Sequence, residues 1–127
     1  MQNKLDKRFI KNDLVTRNKI TEEVDMTIDL TFEGNIAAMK IDGILNSENA
    51  HILQEKLTEV MQSNATLLEL DLLDCRNISS TGIGKILLFY KDFISKGGEI
   101  EVVRSSNSVY DLFSMLKLNQ LFTVNLS

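Results

Sequence analysis

Leu67-Leu-Glu-Leu-Asp-Leu-Leu73, continuing as Asp74-Cys-Arg-Asn-Ile-Ser-Ser80 and Thr81-Gly-Ile-Gly84, is the stretch whose reading decides the fold. Residues 67–73 are an apolar run that Glu69 and Asp71 interrupt only at alternate positions, the pattern of a central strand buried on at least one face. Asp74 to Ser80 is polar and reads as a loop. From about Thr81 to Ser95, Ile83, Ile86, Leu87, Tyr90, Phe93 and Ile94 recur at helical spacing, and Gly97-Gly98 supply the left-handed cap that closes a helix. A strand thus passes through a hydroxyl-rich corner into an amphipathic helix.

Upstream, Met26, Ile28, Leu30 and Phe32 alternate with Asp25, Thr27, Asp29 and Thr31, so Val24 to Phe32 is expected to be a strand with one wet face. Glu33-Gly34-Asn35 is a turn signal, and Ile36 to Ile41 returns as the second strand of an antiparallel hairpin, ended by Gly43. Asn46 or Ser47 caps a helix that carries Ala50, Leu53, Leu57, Val60 and Met61 on one face and stops near Gln62. Downstream, Ile100, Val102 and Val103 form a strand, and Ser105 to Ser108 cap a third helix marked by Val109, Leu112, Phe113 and Leu116. Leu121 to Val124 makes a last short strand. The order β-β-α-β-α-β-α-β predicts an α/β domain with a mixed sheet: a leading antiparallel hairpin, then parallel strands joined by right-handed crossovers.

The 127 residues amount to one ordinary domain, too small for a two-domain enzyme. Charge is unevenly placed. Residues 1–20 hold Lys4, Lys7, Arg8, Lys11, Arg17 and Lys19 against Asp6 and Asp13, a net +4, while the remainder holds eight basic and sixteen acidic residues, a net −8. The expected organisation is a basic N-terminal extension, 1–20, on an acidic domain, 21–127; such an arm serves as a solvated or membrane-touching tail, an intramolecular clamp or a partner contact. An acidic body argues against nucleic-acid binding, which needs cations to neutralise phosphates. The single Cys75, remote in sequence from the single His51, gives no zinc cluster and no internal disulfide, so a reducing, cytoplasmic setting is expected. No segment approaches the roughly 18 apolar residues of a membrane span, and charges stand where a signal peptide needs an apolar run. Neither metal nor cofactor is expected.

Three consecutive hydroxyls, Ser79, Ser80 and Thr81, precede Gly82 where the central strand hands over to the helix. One of them suffices to cap the free backbone amides, a contribution of about 1 kcal/mol. The same amides and the positive end of the helix dipole also stabilise a phosphoryl group, so phosphorylation there would add negative charge to an exposed corner without unfolding it. At about 100° per residue, Ser80, Gly84 and Leu88 fall on one stripe, away from the Ile86, Tyr90 and Phe93 face. Leu88 is then an apolar residue facing solvent, with Gly84 leaving a shallow place beside it, and Ile52 on the first helix is expected to extend this docking surface.

On these residues the chain resembles a STAS domain, the fold of bacterial anti-sigma factor antagonists, over roughly Ile20 to Val124. Ser79-Ser80-Thr81-Gly82-Ile83-Gly84 is similar to the family's aspartate-serine-serine-glycine-leucine-glycine pattern, and Gly43-Ile44-Leu45-Asn46 to its glycine-x-leucine-aspartate. Lys96-Gly97-Gly98, and Leu112-Phe113 with Leu121-Phe122, agree further. The resemblance implies a binding protein without catalytic activity that captures an anti-sigma factor, itself a serine kinase, and is switched off when that kinase phosphorylates Ser80; a serine phosphatase would restore it. Asn46, Ser79, Ser80, Thr81, Gly82, Gly84 and Leu88 would form the partner surface. Ser79 and Asn46 stand where the family has aspartates. The alternative is a STAS interaction subunit of a transporter or stress-signalling complex in which Ser80 is never phosphorylated. A hydrolase would need a base beside Ser80, and the only histidine lies on the first helix.

Overall fold

The computed structural model describes residues 26–127, so the basic extension and the first two residues of the expected leading strand lie outside the described part. The hairpin forms as its alternation demands. β1 (Met26–Glu33) pairs antiparallel with β2 (Ile36–Leu45), and Gly34, at φ +60°, takes the left-handed conformation its tight turn requires.

Three crossover units follow: α1 (Ala50–Gln62) to β3 (Leu67–Leu72), α2 (Ser80–Ser95) to β5 (Glu99–Ser105), and α3 (Asn107–Met115) with a short 3-10 turn (Leu118–Gln120) to β6 (Thr123–Val124). The sheet order is β1-β2-β3-β5-β6, with every pair after the hairpin parallel. Because the crossovers step in one direction and share one hand, the three helices fall on one face of the sheet. That face carries the core: Met39, Ile41, Leu68, Leu70, Leu72 and Val102 are fully or almost fully buried against Leu53, Ile86, Phe93 and Phe113 from the helices. The expected fold class, a single mixed-sheet α/β domain, is the one observed.

Two local expectations are corrected by one feature. β2 does not end at Gly43 but runs to Leu45, and the segment expected to be a loop contains a short strand, β4 (Cys75–Ile78), paired parallel with that extension. Gly43, at φ +107°, adjoins a register shift that bends β2 past the end of β3. Cys75 and Ile78 are buried while Arg76 and Asn77 are exposed, so β4 has no alternation to betray it. Along α2, Phe89 rather than Ile94 lies on the buried face; Ile94, in the last turn, is exposed.

Candidate functional site

The end of β2, all of β4 and the start of α2 form one corner. The Ser79 amide donates to the Leu45 carbonyl at 2.8 Å, which ties the helix entry to the strand end and brings the Asn46 turn beside it. From the other side, the hydroxyls of Ser106 and Ser108, at the start of α3, donate to the carbonyls of Cys75 and Arg76, both at 2.7 Å, and fix β4 in place. The corner is therefore held by backbone-directed hydrogen bonds from two neighbouring elements, as a rigid recognition surface requires.

Within it the hydroxyls divide their tasks. Ser79 is the N-cap of α2, extended at ψ 166°, and its oxygen accepts from the Gly82 amide at 3.2 Å. Ser80 and Thr81, the first two helical residues, are exposed. Helix geometry leaves their amides without intrahelical acceptors, so the positive end of α2 opens beside the Ser80 hydroxyl. Gly82 is buried: a Cβ there would lie 2.7 Å from Cδ2 of Leu45 and 3.0 Å from Cγ2 of Ile78. It lets the first turn of α2 press onto the end of β2.

Asn46 is half-buried and engaged on both sides. Its Oδ1 accepts from the amides of Glu48 and Asn49 at 2.9 and 3.0 Å, and its own amide donates to Asn49 Oδ1 at 2.8 Å. It organises the turn ahead of α1, whose N-cap position falls to Asn49 rather than to Asn46 or Ser47. Asn46 and Ser79 thus each supply a side-chain oxygen acceptor to the corner without bringing a charge.

Leu88 is 65% exposed, two turns along from Ser80, and a Cβ on Gly84 would meet no atom within 4 Å. Beside Leu88 lies an apolar groove of about 280 Å³ between α1 and α2, floored by Leu57, Met61 and Phe89 and rimmed by Lys85 and Asp92. Ile52 does not join this surface; it is half-buried against the core. The α1 contribution to the groove comes instead from Gln54, Leu57, Thr58, Met61 and Gln62, of which the helical spacing of Leu57 and Met61 could have indicated two.

The remaining candidates serve other ends. Cys75 is fully buried, and burial pushes its thiol up to about 11, so it stays protonated. Asp71 pairs with Arg104, and Asp74 with Lys40 at 3.4 Å. Among the described residues no cluster of His, Cys, Asp and Glu could hold a metal ion, and no helix is long and apolar enough to cross a membrane. His51 is exposed on α1, with Nδ1 3.1 Å from the Glu48 carbonyl.

The STAS domain family model matches residues 27–127, and the chain belongs to that family. Solved structures share the fold. An anti-sigma factor antagonist from Mycobacterium paratuberculosis superposes with a TM-score of 0.71 at 14% identity, over 80% of this chain and 86% of the other. The anti-sigma factor antagonist SpoIIAA in its unphosphorylated form gives 0.68 at 16% identity, over 80% and 90%. The Bacillus cell fate determinant SpoIIAA in its phosphorylated form gives 0.64 at 14% identity, over 80% and 93%.

Proposed function

We propose that this STAS domain is an anti-sigma factor antagonist of the bacterial cytoplasm: it binds an anti-sigma factor that is a serine kinase, and phosphorylation of Ser80 by that kinase ends the association. Sigma-factor-dependent transcription would follow the unphosphorylated form. One observation carries the reading: Ser79 caps α2, so the neighbouring Ser80 hydroxyl is exposed and not needed by the fold. The shared fold with SpoIIAA, solved in both phosphorylation states, supports it.

A phosphate on Ser80 brings about two negative charges to a helix N-terminus whose amides welcome them, so the free protein tolerates the modification. A partner docked on Thr81, Gly84 and Leu88, with Asn46 and Ser79 at its edge, meets those charges inside a desolvated contact and is expelled. Gly82 acts from beneath, keeping the helix start close to Leu45. With two local carboxylates replaced by Ser79 and Asn46, the phosphate is a larger fractional change in the charge of the corner. No cofactor or metal enters this scheme, and a serine phosphatase would reverse it.

Incubation with the serine-kinase anti-sigma factor and ATP, read by intact mass, should add one phosphate to the protein and none to Ser80→Ala. The loss of both carboxylates near the expected kinase contact favours a second reading, a STAS interaction subunit of a transporter or stress-signalling complex. In that case the mass stays unchanged, and association with a transporter ATPase or scaffold is indifferent to Ser80→Asp.

A further inference from the structure

The helices cover one face of the sheet and leave the other without a partner among the described residues. Register defines that open face. Asp29, Glu33 and Asp42 of the hairpin stand on it, cross-strand from Lys40, Ile36 and Thr27 respectively. Glu69 and Asp71 continue it on β3, and Glu99 and Glu101 on β5. Against these seven carboxylates the face holds two cations, Lys40 and Arg104, for a net charge of −5. Its centre is a depression of about 250 Å³ where Ala38, Met39 and Val103 lie among Asp29, Lys40 and Glu69, and at the strand starts Ile36 and Leu67 are only half-buried.

We propose that the basic extension, residues 1–20, lies across this open face as an intramolecular cover. Three observations carry the assignment, and none depends on how Ser80 is used. The charges are complementary, +4 on the extension against −5 on the face. The extension enters at the right place, because residue 25 joins Met26, the first residue of the edge strand β1. The lengths also fit: five strands at about 4.8 Å span roughly 20 Å, whereas the 20 residues of the extension alone reach about 30 Å as a helix and about twice that when extended, with the acidic residues Glu22, Glu23 and Asp25 in the connection to β1. The extension's sequence offers Leu5, Phe9, Ile10 and Leu14 as apolar residues that would suit Ile36 and Leu67, and lysines and arginines that would suit the surrounding carboxylates.

The full chain carrying Asn12→Cys, labelled with a nitroxide, tests this by paramagnetic broadening of amide signals. Cys75 is buried and protonated at neutral pH, so the label stays on residue 12. The cover predicts selective signal loss at Lys40, Glu69 and Glu101, reversed at about 1 M salt, where the screening length falls to about 3 Å, and abolished by Glu69→Lys with Glu101→Lys. Broadening centred on Leu88 and Thr58, or none beyond β1, would overturn it. So would broadening of an unlabelled copy mixed with labelled protein, since the extension would then cover a second molecule.

Discussion

Ser79 and Ser80 carry the same hydroxyl one peptide apart, and the helix they introduce gives each a different task. Because Ser79 Oγ accepts from Gly82, Ser79→Ala should lower unfolding free energy by about 1 kcal/mol in urea titration. Ser80→Ala, exposed and outside the cap, should stay within about 0.5 kcal/mol of the parent; the reverse order would assign the cap to the wrong serine. Which hydroxyl caps was not legible in the sequence, since three candidates in a row satisfy the same rule and only the ψ of Ser79 separates them. Asp71 offers a residue-scale test by pH. Burial pushes its carboxyl up, but the hydrogen bonds from Arg104 and the Leu73 amide, with the charges of Arg104 and Lys40, outweigh that and hold it below the ordinary carboxylate range. A folded-state pKa below the unfolded one means that the pair's stabilisation is present above about pH 4 and is lost as pH falls through the folded value. Asp71→Asn should therefore flatten the acid limb of the stability profile in this window, measured by thermal melts between neutral and acid pH.

At the scale of the element, α2 contains two glycines with opposite surroundings. A Cβ on Gly82 runs into the fully buried Leu45, so Gly82→Ala should destabilise by about 1–3 kcal/mol. Gly84 faces open space, so Gly84→Ala should stabilise by up to about 1 kcal/mol through helix propensity, yet weaken partner binding if another backbone approaches there. Calorimetric melts of the two variants check the signs. Leu88→Glu should cost binding and leave the melting temperature nearly unchanged; an equal loss of both would place Leu88 in the core. The helices and the hairpin were legible because each buries one face of a regular period, and Gly34 marked the turn. β4 and the last residues of β2 were not. Their pairing depends on a bulge at Gly43 and on the absence of β3 beyond Leu72, which are properties of the assembled sheet rather than of either segment. The helical angle of Ile52 points toward the docking surface, but packing draws it toward the core.

For the whole molecule, a one-sided sheet places every parallel strand's C-terminal end, and with it the Asn46 turn, β4 and the start of α2, at a single edge. That architecture followed from the order of the elements, since strands that alternate with helices cross over with one hand. The acidic balance of the sheet face followed from register, which no single segment reveals. A phosphate-tolerant corner in such a molecule should separate folding from binding. Ser80→Asp puts a carboxylate at the first position of α2, and the helix dipole should stabilise the free protein by about 0.3–1 kcal/mol, seen as a melting temperature equal to or slightly above that of the parent. Binding should move the other way. The most direct test is titration calorimetry of the parent, Ser80→Ala and Ser80→Asp proteins against the serine-kinase anti-sigma factor without ATP. The parent and Ser80→Ala should bind alike and Ser80→Asp more weakly by about 2–5 kcal/mol; equal affinity of all three would contradict Ser80 as the switch.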